Sequence, residues 1–377
     1  MSKTLQDYAT LINDTIQSNE INHYITTDNM CQNLGGIDTF KNINIPQGKV
    51  RSFQKDDVLL SNIRLYFRKV YRAKQKGGCS SDVLVFRAKH IDSATLFAIL
   101  SSQIFTDYAC SGSQGSKMPR GNKTHMMNFK IPTINFTIAK IFNSIQNKIE
   151  NNHKINELLH KILELLYEQY FVHFDFLDEN NKPYQTSGGK MKFSKELNRL
   201  IPSGWSVRFL NHKIVSTYQP KTISKTLLNN SYSYSVYGGG GIIGRFTEYN
   251  HEQSEFIISC RGQCGISYLT LPKSWITGNA MVIRPTKSYT SKTYLYHTIK
   301  KYKLTNYITG SVQPQITRQN LSTMPILIPK RKTLNKWNNI SSLLWNLIHN
   351  NMQATQTLTA LRDFLLPLLL TQQVKPQ

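Results

Sequence analysis

Residues 57–61 read Asp-Val-Leu-Leu-Ser, and residues 255–259 read Glu-Phe-Ile-Ile-Ser. A second pair behaves in the same way, with Val-Leu-Val-Phe-Arg at 83–87 and Ala-Met-Val-Ile-Arg at 280–284. Each offset is 197 or 198 residues, about half of the 377-residue chain. Solenoid repeats are roughly 20–50 residues long, so this period indicates a duplicated module. A duplicated module is typical of a protein whose target has two parts.

A long segment of helical periodicity follows each copy of the dipeptide Ile-Pro, at 131–132 and 328–329. The apolar positions alternate three and four residues apart, which predicts a narrow helical seam. Polar Lys148 and Asn152 interrupt the first seam. We expect the two helices to pack as an antiparallel spacer pair that holds two globules apart; two ordinary core helices are the alternative. The predicted seams are Ile134, Ile138, Ile141, Ile145, Ile155, Leu159, Ile162 and Leu166, and Trp337, Ile340, Leu344, Leu347, Asn351, Leu358, Leu361 and Leu365.

The order of segments is therefore globule, helix, globule, helix. Short apolar strands within the globules, such as 58–60 and 83–86, predict a mixed α/β (α+β) fold. Within the first globule, Thr4–Asp14 and Thr95–Ser102 are predicted helices. The predicted segments are a first globule at 1–132, a central spacer helix at 133–170, a second globule at 171–329 and a C-terminal helix at 330–377.

The excess positive charge is concentrated in the globules. The chain carries 46 Lys and Arg against 22 Asp and Glu, a formal net charge of +24. Residues 1–132 hold 17 basic and 10 acidic side chains, and residues 171–329 hold 19 and 7. The segment 133–170 holds four of each and is neutral. Basic modules joined by a neutral helix predict a polyanionic partner.

Several protein classes are poorly supported. There is no run of 18 apolar residues and no apolar core segment at the N-terminus, so neither a membrane span nor a signal peptide is predicted. Five irregularly placed cysteines favour a reducing cytoplasm. Cys260 and Cys264 are close, but no second pair completes a zinc site, and no metal site is predicted. No Walker A sequence, Asn-Pro-Pro-Tyr-type tetrapeptide or Ser-His-Asp pattern occurs, so no catalytic residue is proposed.

The first globule contains two candidate segments for phosphate or base contacts. Basic and aromatic residues interleave over 64–76, where Lys and Arg can neutralise phosphates and aromatic rings can pack on sugars or bases. A solvated basic strand is the alternative. A flexible polar loop follows at 112–121. The candidate contacts are Arg64, Arg68, Arg72, Lys74, Lys76, Ser113, Lys117 and Arg120.

The second globule has matching parts. Its glycine-rich stretch, 237–245, lacks the Gly-Lys-Ser/Thr of a phosphate-binding loop and is interpreted as a tight turn against another molecule. The loop at 310–317 is the counterpart of 112–121. Gln can bond adenine bidentately and Arg can bond guanine. The candidate contacts are Tyr237, Gly239, Gly240, Arg245, Arg261, Gln263, Lys287, Lys292, Gln313, Gln315 and Thr317.

The first helix carries apolar residues that lie partly off its seam, which predicts a surface for another protein. Leu158, Leu163, Leu165, Tyr167, Tyr170, Leu361, Phe364 and Leu365 are the candidate partner-binding residues.

Several of these stretches together resemble the specificity subunits of type I restriction-modification enzymes, over essentially the whole chain. The end of the first helix and its continuation carry the resemblance most specifically, at 166–171, 174–176, 182–184, 187–191 and 201–205. Further similar stretches are 237–242, 259–262, 277–280 and 361–369; in the first globule they are 24–27 and 48–61, where the glycine-rich loop has no clear twin.

This resemblance implies two α/β target recognition domains joined by antiparallel helices. Each domain would read one half of a split, asymmetric duplex DNA sequence. The helices would set the gap and bind methyltransferase subunits, two in number, and restriction translocase or nuclease subunits could join them. S-adenosylmethionine is expected in the methyltransferase partner and no cofactor in this chain. The alternatives are a degenerate methyltransferase or nuclease and a general basic nucleic-acid-binding protein.

Overall fold

The computed structural model describes residues 3–38, 41, 43–131, 134–229, 232–310 and 313–370. The chain forms two compact units: unit 1 is residues 1–154 together with 352–377, and unit 2 is residues 155–351. Each unit therefore contains one globule and part of each long helix. The domain boundary predicted at 132–133 lies outside the described residues and stays a prediction. The mixed α/β class predicted from the sequence is confirmed.

Unit 1 is built on two four-stranded sheets with the orders β1-β8-β5-β6 and β2-β4-β7-β3. The first sheet is antiparallel throughout, and helix α2 covers it. Its buried face joins α2, α3 and the N-terminal part of α5 in one apolar core. The elements are α1 Leu5–Tyr8, β1 Ala9–Ile12, β2 Thr15–Gln17, β3 Tyr24–Ile25, β4 Lys49–Phe53, β5 Val58–Ser61, β6 Val70–Arg72, β7 Gly77–Cys79, β8 Val83–Ala88, α2 Ser93–Ser101, α3 Gln103–Ser111, α4 Lys123–Met127 and α5 Phe136–Tyr167.

Unit 2 repeats this framework. Its antiparallel sheet has the order β12-β18-β15-β16, and α6 packs on it as α2 packs in unit 1. Among its described residues the unit also has a three-stranded sheet, β14-β13-β17, and three two-stranded sheets. The elements are β9 Met191–Ser194, β10 Arg199–Pro202, β11 Ser206–Phe209, β12 Val215–Tyr218, β13 Tyr234–Gly238, β14 Gly241–Phe246, β15 Phe256–Ser259, β16 Ser267–Leu269, β17 Trp275–Ile276, β18 Ala280–Pro285, α6 Lys292–Lys300, β19 Ile308–Thr309, β20 Gln315–Ile316, α7 Arg318–Leu321, β21 Pro325–Ile328 and α8 Arg331–Leu365.

The repeated pentapeptides are the central strands β5 and β15, and the duplication extends to their ion pairs. The carboxylate of Asp57, which precedes β5, accepts two hydrogen bonds of 2.8 Å from Arg87 at the end of β8. The carboxylate of Glu255, which precedes β15, accepts bonds of 3.0 and 2.6 Å from Arg284 of β18. The acidic residue at the start of each pentapeptide therefore forms an ion pair with an arginine of the neighbouring strand.

The two long helices run antiparallel within each unit. In unit 1, the Asn152 amide donates to Thr355 Oγ1 at 3.2 Å, and Arg362 Nη1 donates to Gln146 Oε1 at 3.1 Å. In unit 2, the Asn351 amide donates to the side-chain oxygen of Asn156 at 3.0 Å. Asn152 is buried, as a seam residue should be.

The predicted seam is only partly correct. Ile138 and Ile145 are buried, but Ile141, Ile155 and Ile162 are more than 40% exposed. Lys148 is also exposed. The actual buried positions of α5 include Ala139, Phe142, Ile149, Leu163 and Tyr167. The reason is that each helix packs against its globule as well as against the other helix. The buried face of α5 therefore differs from the seam that was predicted from helix pairing alone.

The predicted N-terminal helix is also wrong beyond its first turn. Residues 4–14 form α1 over four residues and then the strand β1. β1 pairs with β8, from Ala9 opposite Ala88 to Ile12 opposite Val85. Pairing with a central strand thus overrides the local helical pattern.

Candidate nucleic-acid interface

Three segments of unit 2 converge on one polar surface. The amide of Ile316 donates to the Cys260 carbonyl at 3.1 Å, and Arg261 forms a β-bridge with Gln315. Gly239 fits closely against the same loop, because a Cβ there would lie 2.7 Å from the Arg261 carbonyl oxygen. We call the surface formed by Arg261, Gln263, Gln313 and Gln315 loop site 2; all four side chains are exposed.

Unit 1 contains the equivalent surface. Ile63 forms a β-bridge with Arg120, at the positions matching Arg261 and Gln315. The Gly121 amide donates to the Asn62 carbonyl at 3.1 Å, as Ile316 does to Cys260. Two N-caps match as well: Asn122 Oδ1 accepts from the His125 amide and Thr317 Oγ1 from the Asn320 amide. We call the surface formed by Arg64, Gln114, Lys117 and Arg120 loop site 1.

Four of the basic residues predicted in 64–76 have structural contacts. Arg64 and Arg68 flank a 3₁₀ turn in left-handed conformations and donate to the carbonyls of Lys117 and Ser101. Burial lowers the pKa of Arg68. Arg72 lies 3.8 Å from Asp56, and Lys74 pairs with Glu150 of α5 at 3.1 Å.

Of this predicted series, Arg64 belongs to loop site 1 and Lys76 is exposed. Arg68 is half-buried and bonds the Ser101 carbonyl, and its predicted contact with a ligand stays a prediction. Ser113 is also partly buried, and its hydroxyl donates to the Ala109 carbonyl at 3.0 Å. Ser113 therefore satisfies a backbone carbonyl near the C-terminal end of α3.

Two residues predicted as contacts in the second globule have structural roles, and one of them, Tyr237, is buried. Tyr237 is 3% exposed, and its hydroxyl accepts a hydrogen bond from the Leu271 amide at 3.0 Å. Burial raises the pKa of Tyr237 to about 12. Lys292, the first residue of α6, donates its ammonium to the Ser254 carbonyl, and burial lowers its pKa. Both residues hold the fold together.

The remaining predicted residues divide by position. Gly240 is exposed beside loop site 2, whereas Gly239 is the close-packed turn residue described above. Thr317 caps α7, so its hydroxyl is engaged. Arg245 donates to the Ser233 carbonyl. Lys287 is exposed in the segment before α6.

The predicted partner-binding residues also divide. Leu158, Leu165, Leu361 and Phe364 are 45–69% exposed and stay candidates. The prediction is wrong for Leu163, Tyr167 and Tyr170, which are 0–8% exposed, and Leu365 packs against the core of unit 1. Tyr167, for example, donates its hydroxyl to Thr298 Oγ1 at 3.0 Å. The helices bury these residues because each unit closes its own core with them.

Sequence reasoning missed Asp82, which accepts from Arg120 Nε at 3.2 Å and Nη2 at 3.3 Å. It also missed the buried Arg362. Asp82 precedes the apolar run of β8 and could have been found by aligning the two repeats, which places it opposite Asn279.

Within the described part of the chain, no group of three or more His, Cys, Asp or Glu side chains could hold a metal ion. The same residues contain no helix with the length and hydropathy that a membrane crossing requires.

Comparison with known proteins shows which proteins this chain resembles. Residues 202–358 match the family model of the type I restriction modification DNA specificity domain. The specificity subunit of the type I restriction enzyme MjaIX from Methanocaldococcus jannaschii is 20% identical over 309 residues, 72% of this chain and 67% of that protein. The crystal structure of a type I restriction-modification S subunit from M. genitalium has 14% identity and a TM-score of 0.63, covering 99% of this chain and 96% of that one.

Residues 202–358 therefore match a type I restriction modification DNA specificity domain, and the chain has the fold of a solved S subunit. The family resemblance inferred from the sequence, and the specificity role it implies, are confirmed.

Proposed function

We propose that this chain recognises a bipartite, asymmetric duplex DNA sequence and positions methyltransferase subunits on it. Unit 1 reads one half of the sequence through loop site 1, and unit 2 reads the other half through loop site 2. The observation that carries the proposal is the recurrence of one backbone arrangement in both units with different exposed side chains.

The side chains of loop site 2 suit the reading of base edges. The guanidinium of Arg261 matches the O6 and N7 acceptors of guanine, and the amides of Gln263, Gln313 and Gln315 match the N6 and N7 atoms of adenine. Charge supports the same partner, since the second globule holds 19 basic and 7 acidic side chains. Such an excess attracts a polyphosphate backbone regardless of its sequence.

We further propose that catalysis belongs to the partner subunits. S-adenosylmethionine would bind to the methyltransferase and not to this chain. The exposed apolar residues of the long helices, Leu158 and Leu165 in unit 2 and Leu361 and Phe364 in unit 1, would contact the methyltransferase subunits. One such patch in each unit supports two copies of the methyltransferase, and restriction subunits could join that complex.

The test is methylation-site mapping with the chain assembled with its methyltransferase partner. Arg261→Ala or Gln315→Ala should relax one half-site at a cost of about 1–3 kcal/mol per bidentate contact, while the other half-site stays unchanged. Arg331→Ala, an exposed arginine of α8, is the matched control.

Two results would contradict the proposal. One is a change in both half-sites caused by Arg261→Ala. The other is methyl transfer to DNA by the purified chain without any partner, which would favour the degenerate-methyltransferase alternative. Equal binding to all duplexes would favour a general nucleic-acid-binding protein.

A further inference from the structure

Asp82 and Asn279 occupy equivalent positions beside the two loop sites. Asp82 directly precedes β8, and Asn279 directly precedes β18. The carbonyl of Asp82 accepts from the Asn62 amide at 2.8 Å, and the carbonyl of Asn279 accepts from the Cys260 amide at 3.0 Å. Asn62 and Cys260 are themselves equivalent, because each follows the last serine of a repeated pentapeptide.

Arg120 and Gln315 form the second pair of equivalent positions. In unit 1 the amide and carbonyl of Arg120 bond those of Gln114, and in unit 2 Gln315 pairs with Thr309. A proline precedes each of them, at 119 and 314. Thus where unit 1 has Arg with Asp, unit 2 has Gln with Asn. Both residues of the pair are charged in unit 1 and both are uncharged in unit 2, so the net charge of the pair is zero in each unit.

The contact in unit 1 leaves one edge of the guanidinium for a ligand. Asp82 binds along the Nε–Nη2 edge of Arg120, with oxygen distances of 3.2 and 3.3 Å. The Arg120 side chain is 59% exposed and that of Asp82 is 33% exposed. The Nη1–Nη2 edge still carries two parallel N–H donors in a rigid plane. That edge has the spacing of the guanine O6 and N7 acceptors.

The position in unit 2 offers different chemistry. Gln315 and Asn279 are both exposed. A glutamine amide carries one donor and one acceptor side by side, which match the N6 and N7 edge of adenine. A glutamine needs no carboxylate to orient it, which is consistent with an asparagine at the place of Asp82.

We propose that positions 120 and 315 are equivalent specificity determinants. Arg120 reads a guanine in the half-site of unit 1, and Gln315 reads an adenine at the corresponding place in the half-site of unit 2. Asp82 is a positioning residue that fixes the plane of the Arg120 guanidinium before DNA binds. This inference rests on the proposed function and names the base that each unit recognises at one position.

A structural role for the Asp82–Arg120 pair is the competing account. Ion pairs between exposed side chains contribute little to the free energy of folding, because water and salt screen them. Holding a side chain in one orientation before binding, by contrast, lowers the entropic cost of forming the complex. The two accounts differ in what a residue exchange does, because a structural pair cannot transfer a base preference.

The experiment exchanges the pairs in the full chain assembled with its methyltransferase. The variant D82N with R120Q gives unit 1 the pair of unit 2, and N279D with Q315R does the reverse. Methylated sites are then mapped for the wild type, both exchanges, Arg120→Ala and Asp82→Asn. Asp56→Asn, which removes the carboxylate of the exposed Asp56 that pairs with Arg72 in unit 1, is the control.

We expect the first exchange to replace one guanine by adenine in one half-site, and the second to replace one adenine by guanine in the other. Arg120→Ala should reduce discrimination for that guanine by about 5- to 150-fold. Asp82→Asn should act at the same base with a smaller effect, and Asp56→Asn should leave the site unchanged.

Wild-type half-sites retained by both exchanges and by Arg120→Ala would overturn the inference while leaving the proposed function intact. A wild-type complex that methylates without a bipartite site would overturn both. Misfolding cannot imitate the expected result, because a misfolded unit does not acquire a new base preference.

Discussion

Unit 1 and unit 2 have the same strand order around their central sheets but different interiors beside the long helices. In unit 1 the interior contains a charged group: Arg362 is 2% exposed and bonds Gln146, whose amide donates to the Leu34 carbonyl at 2.9 Å. The lesson is that duplication has preserved backbone hydrogen bonds more closely than interior chemistry.

Unit 2 fills the corresponding region with aromatic rings and histidines. His297 stacks on Tyr167 with centroids 5.6 Å apart and meets Trp337 edge-on at 5.4 Å. Trp345 lies 5.7 Å from His349 and 5.0 Å from His160. In unit 1 the buried side chain between the helices is the charged Arg362. In unit 2 the buried side chains include histidines, whose neutral form is favoured by burial.

The largest expected difference between the two units is the loss of folding stability at acid pH. Burial lowers the pKa of His297 to about 3 and that of His349 to about 4, below the value near 6.5 of an unfolded histidine. The unfolded state therefore binds protons first, so stability falls as the pH drops below 6.5 and stops falling below the folded pKa. Between pH 7 and 5, unit 2 should lose on the order of 3–4 kcal/mol.

Urea unfolding at pH 7, 6 and 5, followed by hydrogen exchange in each unit, measures this loss. His297→Phe should reduce the acid-dependent loss of stability, since one of the protonation events of the buried histidines is then gone. His212→Gln, at an exposed histidine of unit 2, should not change it. An unchanged acid response in His297→Phe would contradict the assignment.

The next largest effect concerns the buried charge of unit 1. Arg362→Ala should destabilise unit 1 by about 2–3 kcal/mol, because it leaves the buried Gln146 oxygen without this donor and opens a cavity. Arg362→Met should cost less, since it restores the packing. Arg331→Ala on the exposed part of α8 is the control, and urea unfolding at pH 7 is the measurement. Equal decreases in the free energy of unfolding in all three variants would show that the buried charge of Arg362 does not stabilise unit 1.

The exposed helix residues give a smaller effect, on assembly. Phe364→Glu in unit 1 and Leu165→Glu in unit 2 should each weaken one methyltransferase contact by about 2 kcal/mol, roughly 30-fold in Kd. Both side chains are more than half exposed, so folding should be unaffected. Native mass spectrometry should find one bound copy with either variant and none with both. Gln353→Glu is the control. Two bound copies of the methyltransferase in the double variant would refute the proposal that these residues bind it.

The smallest effect separates two lysines of unit 2. Lys287 is exposed, so Lys287→Ala should reduce the slope of log affinity against log salt by about one if it contacts a phosphate. Lys292→Ala should leave that slope unchanged and cost about 1 kcal/mol of stability, because its ammonium bonds the Ser254 carbonyl. Binding of one duplex at several salt concentrations distinguishes them, and a reduced slope in Lys292→Ala would reverse the assignment.

The sequence determined the duplication, the two long helices, the strands at 58–60 and 83–86, and the equivalence of the two polar loops. Strand and helix periodicity are local properties of the chain, and a repeat offset can be read without coordinates. Only the tertiary structure decided which side chains are available. Tyr237 is buried because it packs against Ile257 and Ile276, and the Leu271 amide, 34 residues away, bonds its hydroxyl. Arg120 is oriented because Asp82, 38 residues away, lies beside it. Exposure is set by such distant neighbours, so residue type and spacing alone could not separate the DNA-facing side chains from the buried ones.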